Sequence, residues 1–237
     1  MAHRYLAFDI ETSKDVPGED FNWRPHRPLG ISCAATLASG DTQPQIWHGK
    51  TPAGQPAAKM SREEAGALVG YLSKMAADGF RILTWNGLAF DFDILAEESA
   101  ASAPCAEIAL GHVDMMFHAF CALGYPIGLE KAAQGMGLPG KPPGMSGAKA
   151  PTMWAAGRFQ EVLDYVAQDA RATLQLAETC AGLRKLQWIT RKGTRSTLAL
   201  PKGWLTVREA LLLPQPDTSW MSNPMSRRGF TAWLPAS

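Results

Sequence analysis

Three observations in the sequence predict an α/β fold. An apolar run at the N-terminus has strand character, a second such run passes through a tight turn straight into a helix, and a long amphipathic helix follows both. In the first run, Arg4 to Ile10, Tyr5, Leu6, Ala7, Phe8 and Ile10 supply bulk and no turn former interrupts them, the pattern of a buried strand. Its end carries Asp9 and Glu11, and the period-2 alternation of a strand sends both carboxylates to one face. Two like charges side by side near a core are costly unless a cation lies between them. Hard oxygen ligands favour Mg²⁺ or Mn²⁺ there, and the competing reading is a solvated strand end.

Ser13 to Pro28 forms a polar, turn-rich loop carrying Trp23, Arg24, His26 and Arg27. It leaves the carboxylate strand directly, so it lies beside any site there, either as a surface loop or as a substrate contact. Leu29 to Leu37 reads as a second strand and Gln45 to His48 as a short third. Ser61 with Glu64 is a capping box, opening a helix whose Ala65, Leu68, Val69, Leu72 and Met75 repeat at helical spacing before Gly79 ends it. Phe80 to Trp85 is another strand, followed by the turn Asn86-Gly87-Leu88-Ala89-Phe90 and a helix beginning at Asp91. Open α/β sheets hold their sites at such strand-to-helix junctions. Asp91 and Asp93 also suit a helix first turn, and at about 200° apart only one can face a site.

Pro104 to Leu123 reads as helical beyond Asp114, with His112 and His118 as structural histidines, and Leu129 to Met136 as a short helix. A Pro/Gly loop, Gly137 to Gly144, precedes a long helix from about Arg158 to Leu183. Val162, Tyr165, Val166, Ala170 and Leu174 lie along its stripe, and Tyr165 and Asp169, four apart, are neighbours on one face. Beyond it, Gln187 to Arg191 and Thr194 to Leu200 read as a hairpin around Lys192-Gly193. Thr206 with Glu209 forms a second capping box for a helix to Leu213, and Pro214 to Ser237 reads as irregular.

An apolar fraction of 46% with 19% charged residues suits a soluble globular protein. No apolar run reaches the length of a transmembrane helix, and the N-terminus lacks a signal-peptide pattern. Cys33, Cys105, Cys121 and Cys180 stand apart, without metal-site spacing, as buried thiols of a cytoplasmic protein would. The net charge of +1 conceals an asymmetry: residues 1–182 carry 14 Lys/Arg against 20 Asp/Glu, residues 183–237 carry 9 against 2.

In chain order stand Asp9-x-Glu11, then Asn86-x-x-x-Phe90-Asp91 about 80 residues on, then Tyr165-x-x-x-Asp169 after a similar interval. This set resembles the three exonuclease motifs of the DEDD 3′–5′ exonucleases in their tyrosine subclass, and looks closest to the stand-alone proteins related to the proofreading domain of family B DNA polymerases. The likeness extends to Gly137-Leu138-Pro139-Gly140-Lys141 and covers about residues 4–182. The histidine subclass would place His five positions before Asp169, where this chain has Asp164. One departure is Phe92-Asp93-Ile94, where proofreading domains often carry proline. It leaves Asp93 as a rival to Asp91, though the motif spacing favours Asp91.

The resemblance implies a ribonuclease H-like domain over residues 1–182, a mixed five-stranded sheet with helices on both faces, followed by a C-terminal extension over 183–237. It also implies phosphodiester hydrolysis with two divalent cations, Mg²⁺ or Mn²⁺, at the single-stranded 3′ end of a nucleic acid. Asp9 would bridge the ions, Glu11 and Asp169 would complete the site for the attacking water, and Asp91 would hold the second ion. Tyr165 would orient that water. Thr12, Trp23, Asn86 and Lys141 are the candidate substrate contacts. A non-catalytic nucleic-acid-binding or partner-docking module on the same fold is the alternative, and an endonuclease the third reading. Four of the eight tryptophans, Trp188, Trp204, Trp220 and Trp233, fall in the basic extension. It either binds single strands by phosphate contacts and base stacking or packs its tryptophans onto the body as a cap.

Overall fold

The computed structural model describes residues 3–17, 22–139 and 147–235. A five-stranded sheet has the order β3-β2-β1-β4-β5, with β1 Arg4–Thr12, β2 Ile31–Ala38, β3 Gln45–His48, β4 Phe80–Thr84 and β5 Val113–Asp114. Strand β2 runs antiparallel to β1 and β3, whereas β4 is parallel to β1 and β5 parallel to β4. The sheet is therefore mixed, as the resemblance implies. Strand β5 has only two residues, too few to leave a period in the sequence.

Helices cover both faces: α1 Arg62–Ala77, α2 Asp91–Ser99, α3 Ser102–Gly111, α4 Met115–Leu123, α5 Leu129–Gly135, α6 Ala150–Ala155 and α7 Phe159–Leu183. Alternation along β1 sorts the two layers. Leu6, Phe8 and Ile10 enter the core shared with α1, α2 and α3, through Leu68, Leu72, Phe92 and Ile108. Tyr5 and Ala7 enter the opposite core with Val162, Val166 and Ala170 of α7. Both predicted capping boxes form, at Ser61 with Glu64 and at Thr206 with Glu209. His112 and His118 are structural, as expected: both are buried, and His112 bridges Ala109 O and Thr84 Oγ1.

After α7 comes a hairpin, β6 Lys185–Ile189 with β7 Arg195–Ala199, then α8 Val207–Leu211 and α9 Arg228–Thr231. Its first strand begins nearer the chain reversal at Arg184, which is left-handed, than the sequence pattern suggests. Trp188 and Trp204 are buried, while Trp220 is 66% exposed. The Trp233 indole donates to Leu88 O at 2.6 Å. The Arg227 guanidinium donates to the carbonyls of Cys121, Leu211, Leu213 and Pro214 at 2.8–3.0 Å. Phe230 seats against Phe117 and Phe120, at 5.3 and 4.7 Å between ring centroids. The tryptophans thus follow the cap reading, except at Trp220.

Phe230→Ala should cost about 3–5 kcal/mol of stability, the usual loss for an emptied buried aromatic site. Urea unfolding reads it, and a loss below ~1 kcal/mol would show that this segment is undocked in solution.

Candidate active site

Strand β1 outruns its parallel neighbour. Its pairing with β4 covers Arg4 to Ala7, while its pairing with β2 continues to Thr12, with a register shift after Glu11. Ser39 N donates to Tyr5 O and Tyr5 N to Ser39 Oγ, so odd residues of β1 address β2 with their backbone and even residues address β4. The Ile10 N–H therefore points past the end of β4. Asp91 Oδ1 accepts it at 3.0 Å. The first residue of α2 is in this way pinned between Asp9 and Glu11.

Asp9 and Glu11 take the odd face, the one covered by α7. There the ligand atoms of Asp9, Glu11 and Asp169 lie within 4.8 Å of one another. Tyr165, one turn earlier on α7, shares a side-chain hydrogen bond with Asp169. Burial first, then the fields of Asp169, Glu11 and Asp9, raises the Tyr165 phenol above its ordinary value. Cys33, paired across from Glu11, is raised by burial and then by Glu11 and Asp9. Both shifts register one concentrated negative field. Three carboxylates this close, two of them buried, form a hard oxygen donor set that fits Mg²⁺ or Mn²⁺.

Asp91 stands outside that 4.8 Å group but is electrostatically linked to Asp169. Its carboxyl is pushed up to about 7, by burial above all, with Asp114 and Asp169 adding to the effect and the Ile10 N–H opposing it. Asp93 faces elsewhere: Arg27 pairs with it at 2.9 Å and Arg24 lies at 3.8 Å. Of the two rivals, only Asp91 reaches β1.

Asn86 adopts φ +73°, and at Gly87 a Cβ would meet Thr84 at 2.5 Å, so this turn needs a side chain tolerant of left-handed backbone followed by none. Buried Asp114 organises it, accepting from Asn86 N at 3.0 Å, Leu88 N at 2.9 Å and Phe117 N at 2.9 Å. The sequence reading missed Asp114, although a carboxylate just before an apolar helix is an N-cap signature. It also missed Gly147, where a Cβ would lie 3.7 Å from Glu11 Oε2.

Among the candidate substrate contacts, Thr12 is buried and its hydroxyl is turned to Lys14 O. The Trp23 indole is buried edge-on to Phe90, at 5.5 Å between centroids. Arg24 and Arg27 lie over the same indole at 4.9 and 5.3 Å. Trp23 thus buttresses the residue preceding Asp91. Lys141 lies outside the described residues.

Comparison with known proteins places residues 47–181, more than half of the chain, on the family model described as RNase_H superfamily. Among solved structures, the chain is similar to the family B DNA polymerase from the hyperthermophilic archaeon Pyrobaculum calidifontis, at 20% identity and a TM-score of 0.53. That match covers 76% of this chain and 25% of the polymerase chain. A weaker likeness, 16% identity and a TM-score of 0.43, joins 76% of this chain to 41% of exonuclease I. At 20% identity the likeness to the polymerase is one of fold. The chain spans a quarter of the polymerase and well under half of exonuclease I. No curated protein matches the sequence. Among the described residues no helix is long and apolar enough to cross a membrane.

Asp91 carries a pH prediction for the metal-free protein. An unfolded Asp releases its proton near 3.8, the folded one near 7, so the folded state binds the proton more tightly between those values. The stability it contributes is complete at low pH and is lost as pH rises through about 7. In EDTA, Asp91→Asn should flatten that decline in Tm. Identical pH slopes for variant and wild type would show that Asp91 holds no such proton.

Proposed function

The chain belongs to the ribonuclease H superfamily, and from that premise we propose that it is a metal-dependent 3′–5′ exonuclease of the DEDD class with a tyrosine in its third motif. Its substrate is a single-stranded or frayed 3′ end of DNA, with RNA as the second substrate to test, and its product is a nucleoside 5′-monophosphate. We take residues 1–182 as the catalytic unit and 183–237 as its extension. The observation that carries the proposal is the grouping of Asp9, Glu11 and Asp169 within 4.8 Å, with Tyr165 hydrogen-bonded to one of them and Asp91 tied to the strand that bears the other two.

Asp9, Glu11 and Asp169 would hold divalent cations, with Asp91 as a further ligand. When bound, such ions activate water and stabilise charge developing on the phosphoryl and leaving oxygens. The protein's own part is positional. A phenol whose pKa is raised above its usual value stays protonated at neutral pH, so Tyr165 aligns a water through its hydroxyl instead of taking its proton. Asp169 sets the phenol's orientation. The Asp114-bound turn at Asn86 to Leu88 fixes where α2 starts and thus where Asp91 sits.

With 5′-labelled single-stranded DNA and Mn²⁺ or Mg²⁺, we expect a ladder shortening from the 3′ end, lost with Asp9→Ala. Tyr165→Phe should lower kcat by about 10²-fold with little change in KM, as loss of alignment at a reacting centre does. RNA of the same sequence ranks the two sugars. Internal fragments in place of a ladder would mean an endonuclease. Tight binding without cleavage under either metal would mean a non-catalytic module.

A further inference from the structure

The nine cations of residues 183–237 divide into two groups. Arg227 is committed to four carbonyls, Arg184 to Pro201 O and Arg208 to Glu107. Those three fasten the extension to the body and to itself. Between Arg184 and Leu205, by contrast, the sequence holds six cations and no carboxylate. Of these, Lys185, Arg191, Lys192, Arg195 and Lys202 take part in no ion pair among the described residues, and neither does Arg228 farther along the chain. Arg191, Lys192 and Arg195 are exposed around the turn that joins β6 to β7.

The topology turns the hairpin back toward the carboxylate end of β1. Glu178, late on α7, accepts from Ser39 Oγ, which in turn accepts from Tyr5 N at the start of β1. Helix α7 therefore runs from the carboxylate end of β1 to its opposite end, and β6 starts at that far end. From there the hairpin climbs back along α5: at Gly135 a Cβ would meet the backbone of Gln187 and Trp188 within 2.5 Å. Trp188 lies beside Tyr125, at 6.5 Å between centroids, and nearby Ile127 O accepts from Trp85 Nε1, next to Asn86. Lengths agree with this path. Helix α7 rises about 22 Å from Asp169 to Arg184, and strand and turn cover about 23 Å from Lys185 to Lys192.

Resting on the exonuclease reading, we propose that the β6–β7 hairpin is a nucleic-acid-binding arm that grips the phosphates of the strand leading to the 3′ end, through Arg191, Lys192 and Arg195. Its binding is independent of base sequence. Base stacking has no part in it, because the hairpin's aromatic side chain, Trp188, is buried against the body. The same inward packing of Leu186 and Trp188 leaves the arm without the exposed apolar face that membrane-surface binding requires.

The test is binding of a 5′-fluorescein-labelled single-stranded DNA of about 30 nucleotides, followed by anisotropy in EDTA, where no turnover is needed. The triple variant Arg191→Ala/Lys192→Ala/Arg195→Ala should bind about 10- to 100-fold more weakly near 0.1 M salt. Its log Kd against log salt slope should fall by about 2, from three phosphate contacts at ~0.7 each. Arg191→Lys/Arg195→Lys should bind as wild type does, because the contacts are charge to phosphate. Arg62→Ala/Lys74→Ala on α1 should leave the slope unchanged. Equal slopes for the triple variant and wild type would overturn the proposal. So would a hairpin-dependent affinity for polyglutamate or anionic vesicles that equals the affinity for DNA. Hairpin-dependent DNA binding without cleavage under Mg²⁺ or Mn²⁺ would defeat the exonuclease reading and leave the arm standing. Shortening from the 3′ end with hairpin-independent binding would do the reverse.

Discussion

One hydrogen bond from a backbone amide to a side-chain carboxylate sets the geometry of the candidate site. Because β4 stops short of β1, the Ile10 N–H would be left without a strand partner, and a buried unpaired donor costs about 1–3 kcal/mol. Asp91 supplies the acceptor. A carboxylate is thereby brought from a helix N-terminus to the gap in the sheet, beside the two that β1 itself carries. The gap, the turn that crosses it and the helix that follows are one unit. Asp114 completes that unit by capping α4 and bonding the amides of Asn86 and Leu88.

The grouping of acids also decides what each neighbour can do. Asp9 and Glu11 share the odd face of β1 and meet Asp169 from α7, so negative charge gathers on one layer of the sandwich while the even face stays apolar. Burial and that field together raise the Tyr165 phenol and the Cys33 thiol above their ordinary values. Asp93, two residues beyond Asp91, belongs instead to the ion pairs with Arg24 and Arg27, where its own carboxylate is buried. Two acids two residues apart on a helix have separate duties because the helix turns them away from each other.

Much of this was legible in the residues. Period-2 spacing put Asp9 and Glu11 together, 3.6-residue spacing put Tyr165 with Asp169, and both capping boxes marked real helix starts. What escaped had physical reasons. Strand β5 is two residues long, so no alternation could reveal it. Helix α3 is apolar nearly all round and starts without a side-chain cap, which removes the stripe and the start signal together. Asp114 acts on residues 26 and 28 positions earlier, a distance no local pattern spans. Trp23 looked like a surface or substrate aromatic, yet its indole is a wall for Phe90. The charge imbalance of the extension was visible at once. Its division into fastening and uncommitted cations required the fold.

The indole of Trp233 reaches Leu88 O across 145 positions of sequence, and this has a bearing on how the molecule comes into being. Ribosomes make the Asn86–Asp91 turn long before they make its brace. During synthesis the carboxylates of β1 and the turn that delivers Asp91 can meet, but the outer support of that turn arrives only once residue 233 has left the exit tunnel.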